Sequence, residues 1–358
     1  MQKNKFEKLS TERSYPCVTI SMNTQRMVPN NQKDVIELRK LIKEAHEHVV
    51  KEFGQYEVNN LLNKIDNLET RMDANHNLES IHFFLSDSTT KIVKSSWPIS
   101  KNRVSVAESF VIKPLIKDLN RTEEYLILIL SESEVRLLKA INDHISGEIK
   151  SEDFPFTENP YFLADQDKAS DGKLSDNLVR EFFNQIDKAL MKIHYKTDMN
   201  VVVICTENNW SLLMQVADKP SIYYGNVSIS YNETANHSMV FETWKIIVAL
   251  QEEVRAKAIQ EMHEAAGNGK VITNLLDIFH AVKAGRGELL ITHDDYHQAV
   301  KMNGQYAFQL VNDLTWPEVI DDIISDMAWE VISKKGRAIF TNQEEFESLG
   351  NIALKVRY

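Results

Sequence analysis

Residues 275–292 read LLDIFHAVKAGRGELLIT, and this stretch decides how the rest of the chain is parsed. Leu275, Leu276, Ile278, Phe279 and Val282 fall at helical spacing, and the residues from Glu288 to Ile291 restart the pattern as a short apolar strand. Gly285 and Gly287 lie between the two. A helix ends readily on a residue that accepts positive φ, which glycine does without a Cβ clash, and a second glycine lets the backbone reverse toward a buried strand. The spacing predicts a helix, a tight turn and a strand.

Working outward, the C-terminal part repeats this alternation. Helices are predicted over 272–284 and 316–335, strands over 288–292 and 336–340, and a closing strand over 352–358. Alternating α and β with short connections is an α/β sandwich. Upstream, 239–266 reads as one long helix. The runs 125–131 (YLILILS) and 200–206 (NVVVICT) are apolar almost throughout, as for strands buried on both faces of a sheet. Residues 135–141 (VRLLKAI) alternate and fit a hairpin partner to the first run. A helix over 178–195, with Phe182, Phe183, Ile186 and Leu190 inward, separates the two apolar strands, and that order favours a parallel pair. Residues 142–176 carry prolines, glycines and many charges, and a long irregular stretch of this kind usually has a function or lacks order. The N-terminal third predicts a strand over 15–22 and a helix over 33–53 stopped by Gly54. A helix over 59–71, strands over 80–85 and 91–98, and a crossing segment in which Pro114 opens a helix complete it.

At 358 residues the chain suits two or three domains, and the breaks in pattern divide it as 1–120, 121–262 and 263–358. There is no apolar run of about 18 residues, as a bilayer span would need, and the first 16 residues lack the apolar core of a secretory signal. A cytoplasmic protein with no membrane partner is expected. Cys17 and Cys205 sit in separate apolar runs, where a small buried thiol is the natural role. Charge is uneven: 18 Lys and Arg against 15 Asp and Glu in residues 1–120, 14 against 22 in 121–260, and 9 against 15 in 261–358. Two acidic thirds argue against a DNA-binding protein, and a local basic face is confined to the first third.

Taken together, YLILILS with VRLLKA, the motif AVKAGRGELLIT, the ending GRAIFTNQEEFESLGNIALKVRY and the opening YPCVTISMNTQRMVPNNQKDVIELRKLIKEA resemble the bacterial relatives of archaeo-eukaryotic peptide-chain release factors. That resemblance implies an α/β protein of three domains: an N-terminal α/β domain, a ribonuclease-H-like middle domain, and a C-terminal α/β/α sandwich of the L7Ae/L30e type that binds kinked RNA. In the release factors a Gly-Gly-Gln loop of the middle domain drives peptidyl-tRNA hydrolysis. Its place here is the loop before Leu178, which reads ADQDKASDGKLSDN, and the whole chain contains no Gly-Gly pair. A mechanism that presents a backbone amide to an ester carbonyl needs permissive glycines. The Asn-Ile-Lys-Ser motif that reads stop codons is absent as well.

Candidate residues follow from this. In the loop 163–173, Gln166, Lys168, Asp171, Gly172 and Lys173 are candidate contacts to ribosome or tRNA, although a solvent loop has the same composition. Arg26, Lys33, Arg39 and Lys40 are the densest basic feature of the first third; they could meet phosphates or simply form a solvated helix face. His293 and His297 are four apart in HDDYH, but the glutamate of a zinc motif is missing and a surface turn or helix cap accounts for the segment. His263 and His280 read as ordinary helical residues. Gly267-Asn268-Gly269-Lys270 lacks the upstream glycine and following Ser/Thr of a phosphate loop, and no nucleophile-elbow or dinucleotide motif occurs. No metal or cofactor is expected. The expected function is association with the ribosome or tRNA, in stalled-ribosome rescue, without glutamine-dependent hydrolysis. The alternatives are a metal-dependent RNA hydrolase built on Asp165, Asp167, Asp171 and Asp176, and a non-catalytic scaffold with protein partners.

Overall fold

The computed structural model describes the chain except residues 1–7, 13, 15, 26–31, 74–76, 132–133, 158–171, 230–235 and 312–318. By contact it divides into two compact units, residues 1–121 together with 255–358, and residues 122–254. The sequence reading divides the chain into three, whereas here both chain ends share one unit.

The first part of that unit contains β1 (Cys17–Asn23), α1 (Gln32–Phe53), α2 (Asn59–Asp66), α3 (Leu68–Arg71), β2 (Ser80–Leu85), β3 (Thr90–Ser95), β4 (Arg103–Ala107) and α4 (Lys113–Arg121). Its strands form an antiparallel sheet in the order β3-β2-β1-β4. Strand side chains alternate between faces, so Val18, Ile20 and Met22 of β1 share one face with Ile81, Phe83 and Leu85 of β2. The stripe Leu38, Leu41, Ala45 and Val49 of α1 covers that face. Gly54, at φ 73°, ends α1. The strand β4 was not expected, because RVSVA is short and half polar.

The unit 122–254 holds β5 (Glu124–Leu130), β6 (Val135–Ile141), β7 (His144–Glu148), α5 (Gly172–Thr197), β8 (Val201–Ile204), α6 (Glu207–Val216), β9 (Tyr223–Val227) and the start of α7 (Asn236–Gly267). The order is β7-β6-β5-β8-β9; β5 is antiparallel to β6 and parallel to β8, with Leu126 opposite Val201. Both faces are covered, which is why the two central strands are apolar throughout. Leu126, Leu128, Val201 and Val203 meet Phe182, Phe183 and Leu190 of α5, and Tyr125, Ile127, Val202 and Ile204 meet Met239, Val240 and Ile247 of α7. The irregular stretch expected from residue 142 is in part ordered: Asn142, at φ 52°, turns the chain and β7 pairs with β6.

The C-terminal part returns to the first unit with β10 (Val271–Ile272), α8 (Leu275–Lys283), β11 (Gly287–His293), β12 (Val300–Met302), β13 (Phe308–Leu310), β14 (Val319–Ile320), α9 (Ile323–Ser333), β15 (Arg337–Thr341) and β16 (Ile352–Val356). A mixed sheet runs β10-β16-β11-β15, with β11 parallel to β15, and the short β13-β12-β14 form a separate sheet. Leu290, Leu354 and Phe340 pack on Ile278, Phe279 and Val282 of α8 and on Ile324, Met327 and Val331 of α9. On the other side, Leu289, Ile291 and Ala353 meet Ala258, Ile259 and Met262 of α7. The result is three layers, helix, sheet and helix.

Two helix starts differ from expectation. Val271 and Ile272 pair as a strand with Lys355 and Leu354, and the helix opens only after Asn274, whose Oδ1 accepts the N–H groups of Leu276 (3.0 Å) and Asp277 (3.2 Å). The helix expected from 316 begins at Ile323, where Asp322 Oδ1 accepts the N–H of Ile324 at 3.3 Å. Gly285 behaves as expected: at φ 73° it lets its own N–H reach Val282 O and that of Arg286 reach Ala281 O, each at 2.9 Å. Gly287 serves a different purpose. A Cβ there would meet Val331 Cγ2 at 3.0 Å and Leu354 Cδ1 at 3.2 Å, so it is glycine because α9 packs closely.

Candidate functional site

The second face of the β1–β4 sheet is the unusual one. Where the first face is apolar, this one presents Thr19, Ser21, Ser80, His82, Ser95, Arg103 and Ser105, and all but Arg103 are buried. Register puts Ser21 beside both His82 of β2 and Arg103 of β4. Burying polar groups costs free energy unless they are hydrogen-bonded, and the bonds here can be followed in direction. Ser80 Oγ donates to the Trp97 carbonyl at 2.6 Å, so its proton is committed. The 3.2 Å contact from Ser80 Oγ to His82 Nε2 is therefore an Nε2–H donating to the hydroxyl. His82 Nδ1 is left as an acceptor, and Ser21 Oγ donates to it at 2.9 Å. Burial, aided by the charge of Arg103, pushes the imidazole down to about 3, so His82 is neutral.

Over this face lie α4 and the C-terminal part of the same unit. Pro114 at the second residue of α4 needs no donor, and Lys113, Lys117 and Arg121, spaced by four, share one side of the helix. Arg121 Nη2 donates to both carboxylate oxygens of Asp294 at 2.8 Å, and its guanidinium lies 5.5 Å from the Trp97 ring centroid. Lys117 Nζ is 3.0 Å from Asp294 Oδ1 and donates to the Asp294 carbonyl at 2.7 Å. Burial alone would raise the Asp294 carboxyl, but the two cations outweigh it and hold the group below the ordinary carboxylate range. Lys113 donates to the Tyr296 carbonyl and lies 3.8 Å from Asp322 Oδ2. Burial lowers the Lys113 ammonium, with Asp322 acting the other way. Beside them, His297 Nε2 is 3.1 Å from Asp321 Oδ1, and Arg103 is 3.8 Å from Asp321 Oδ2.

These groups enclose a cavity of about 190 Å³ bordered by Ser21, Trp97, Arg103, Lys113, Asp294 and Asp322, among others. The site was not anticipated. The sequence reading takes HDDYH as a surface turn or helix cap, yet Asp294 is an ion-paired anchor for α4. The signal was present in the alternation of Ser80 and His82 with Ile81 and Phe83, and in the spacing of the three α4 cations. Neither says where the polar face points until the C-terminal part is placed over it.

The residues singled out from the sequence lie elsewhere. Lys33, Arg39 and Lys40 are exposed on α1; Arg39 Nε and Nη2 donate to Glu69 at 2.8 and 2.6 Å, and Lys40 to Glu37 at 3.1 Å. Such exposed pairs are weak and leave the cations available to a stronger anion. Arg26, Gln166, Lys168 and Asp171 lie outside the described residues, as do Asp165 and Asp167, while the backbone of Gly172, Lys173 and Asp176 is in the first turns of α5. His263 Nε2 contacts the Glu345 carbonyl at 2.9 Å and His280 Nε2 the Tyr306 carbonyl at 2.5 Å, each on its own helix. Both cysteines are buried thiols, and burial, with Glu207 adding, pushes Cys205 up to about 12. Among the described residues there is no group of three or more His, Cys, Asp or Glu able to hold a metal, and no helix long and apolar enough to cross a membrane.

A family model described as bacterial archaeo-eukaryotic release factor family 3 matches residues 124–286. Over that segment the chain is similar to the bacterial archaeo-eukaryotic release factors. The match takes in the whole five-stranded sheet and runs through α7 and α8 to the glycine turn. No curated protein matches the chain. Among solved structures, the archaeal translation termination factor aRF1 is 12% identical, with 100% of this chain and 97% of that chain covered and a TM-score of 0.27. Pelota from Archaeoglobus fulgidus is 15% identical over 76% of this chain and 77% of its own, with a TM-score of 0.39. An archaeal Pelota described as ribosome-bound, with ABCE1, is 15% identical over 75% of this chain and 76% of its own, at 0.42.

Proposed function

We propose that this release-factor-like protein associates with the ribosome or with tRNA and acts in stalled-ribosome rescue without glutamine-dependent ester hydrolysis. The observation that carries this is the family match over 124–286 in a chain that has no Gly-Gly pair. In this reading the unit 122–254 is the ribonuclease-H-like domain, which its antiparallel β7-β6-β5 followed by parallel β8 and β9 supports. The three-layered C-terminal part is the L7Ae/L30e-like sandwich. Gln166, Lys168, Asp171, Gly172 and Lys173 meet RNA where a Gly-Gly-Gln loop otherwise stands, and Arg26, Lys33, Arg39 and Lys40 supply phosphate contacts from the N-terminal part. Protein partners are compatible with this role, and the expected setting is the cytoplasm.

Two assays on the intact chain test it. Co-sedimentation with ribosomes at moderate salt is expected, with loss of binding in a Lys168→Glu, Lys173→Glu double variant. Ribosome-bound peptidyl-tRNA is expected to stay intact. Release of peptide, or Mg²⁺-dependent RNA cleavage that Asp171→Asn abolishes, would overturn the reading in favour of a hydrolase.

A further inference from the structure

The cavity over the polar face of the β1–β4 sheet has no part in the proposed function, and its chemistry is specific. Its volume is about 190 Å³. Lys117 and Arg121 are already engaged by Asp294, which leaves the exposed Lys101, the half-buried Arg103 and the buried Lys113 to face the space. Arg103 lies 3.8 Å from Asp321 Oδ2, beyond hydrogen-bond distance, and Lys113 has three N–H donors, one of which goes to the Tyr296 carbonyl. Three carboxylates also border the space: Asp294, paired with Lys117 and Arg121, the exposed Asp295, and Asp322. Asp322 is 2% exposed and borders the cavity; its Oδ1 caps α9, while its Oδ2 accepts no hydrogen bond. A buried carboxylate oxygen without a donor is costly and calls for one.

A site with several donors for an oxyanion and one carboxylate that must itself receive a proton suits an anion that carries its own O–H. We propose that this cavity binds a monoprotonated phosphoryl group, as hydrogen phosphate or as a small phosphomonoester. Arg103, Lys113 and Lys101 hold the charged oxygens, and the P–O–H donates to Asp322 Oδ2. Sulfate has the same shape and charge but no proton at neutral pH, so Asp322 repels it. Selectivity comes from the group that disfavours the wrong ion.

The test is calorimetric titration of the full chain with inorganic phosphate, phenyl phosphate and sulfate at matched ionic strength. Phosphate is expected to bind at least about tenfold more tightly than sulfate. A phenyl phosphate affinity above that of phosphate, each referred to the fraction that carries a proton at the assay pH, assigns the site to an ester, and the reverse assigns it to the free ion. Asparagine caps a helix as well as aspartate does, so Asp322→Asn keeps the start of α9 while supplying a donor; it is expected to bring phosphate and sulfate within about twofold. Arg103→Gln is expected to weaken phosphate about tenfold. Equal affinity for the two ions in the parent chain, unchanged preference in Asp322→Asn, or unchanged affinity in Arg103→Gln would each overturn the proposal.

Discussion

Asp294 shows how a single residue holds the two ends of the chain in one unit, and His82 how a buried polar group inside the first sheet ties stability to pH. Asp294 balances Lys117 and Arg121, and removing one member of a buried ion group leaves the others uncompensated. Asp294→Ala is therefore expected to destabilise the protein by about 3 kcal/mol in urea unfolding. Because the folded carboxyl is held below its unfolded value, its contribution is complete above the unfolded range near pH 4 and disappears as pH falls through the folded value. As pH falls, the loss from His82 begins at a higher pH than the loss from Asp294. The folded His82 value of about 3 against 6.5 means that the unfolded chain takes up a proton first as pH falls. Stability from this residue is complete above about pH 6.5 and declines toward pH 3, by at most about 1.4 kcal/mol per pH unit. His82→Gln should flatten the stability profile between pH 6 and 4 relative to the parent; parallel profiles would show that the buried imidazole is not neutral.

At the scale of elements, the turn between α8 and β11 makes two glycines answer to different demands. Gly285→Ala places a side chain at φ 73° and should cost about 1 kcal/mol. Gly287→Ala forces a methyl group against Val331 and Leu354 and should cost about 1–3 kcal/mol, of which Val331→Ala in the same chain restores part. Additive losses in that double-mutant cycle would contradict the packing account. This region was also the most legible in the sequence, since five apolar residues at helical spacing, two glycines and an apolar strand point one way. The buried strands β5 and β8 were equally plain, because a strand covered on both faces needs no alternation. Legibility failed where pairing rather than composition makes the element: β4, β7 and the two-residue β10 and β14 exist because a neighbour supplies their hydrogen bonds. The starts of α8 and α9 were misplaced because the apolar pattern runs on past the capping Asn274 and Asp322. The cavity was out of reach for a similar reason, since its walls pair residues far apart in sequence, Lys117 with Asp294 and Lys113 with Asp322.

For the whole molecule, the decisive feature is that residues 1–121 and 255–358 share a core. Phe84, Phe110, Ile112 and Leu115 are buried with Ile278, Leu290, Ile324 and Phe340. A fragment of residues 1–121 is expected to lack a cooperative unfolding transition, whereas the same fragment joined to 255–358 by a flexible linker should regain one. A cooperative transition in the short fragment alone would contradict the shared core. The unit 122–254, with sheet faces covered by its own helices, is where the family match begins, and the account of function rests on that match. Its most direct test is fluorescence anisotropy of the labelled intact chain titrated with ribosomes from about 50 to about 200 mM salt. Saturable binding that weakens steadily as salt rises is the predicted result, and no change in anisotropy at the lowest salt would contradict it.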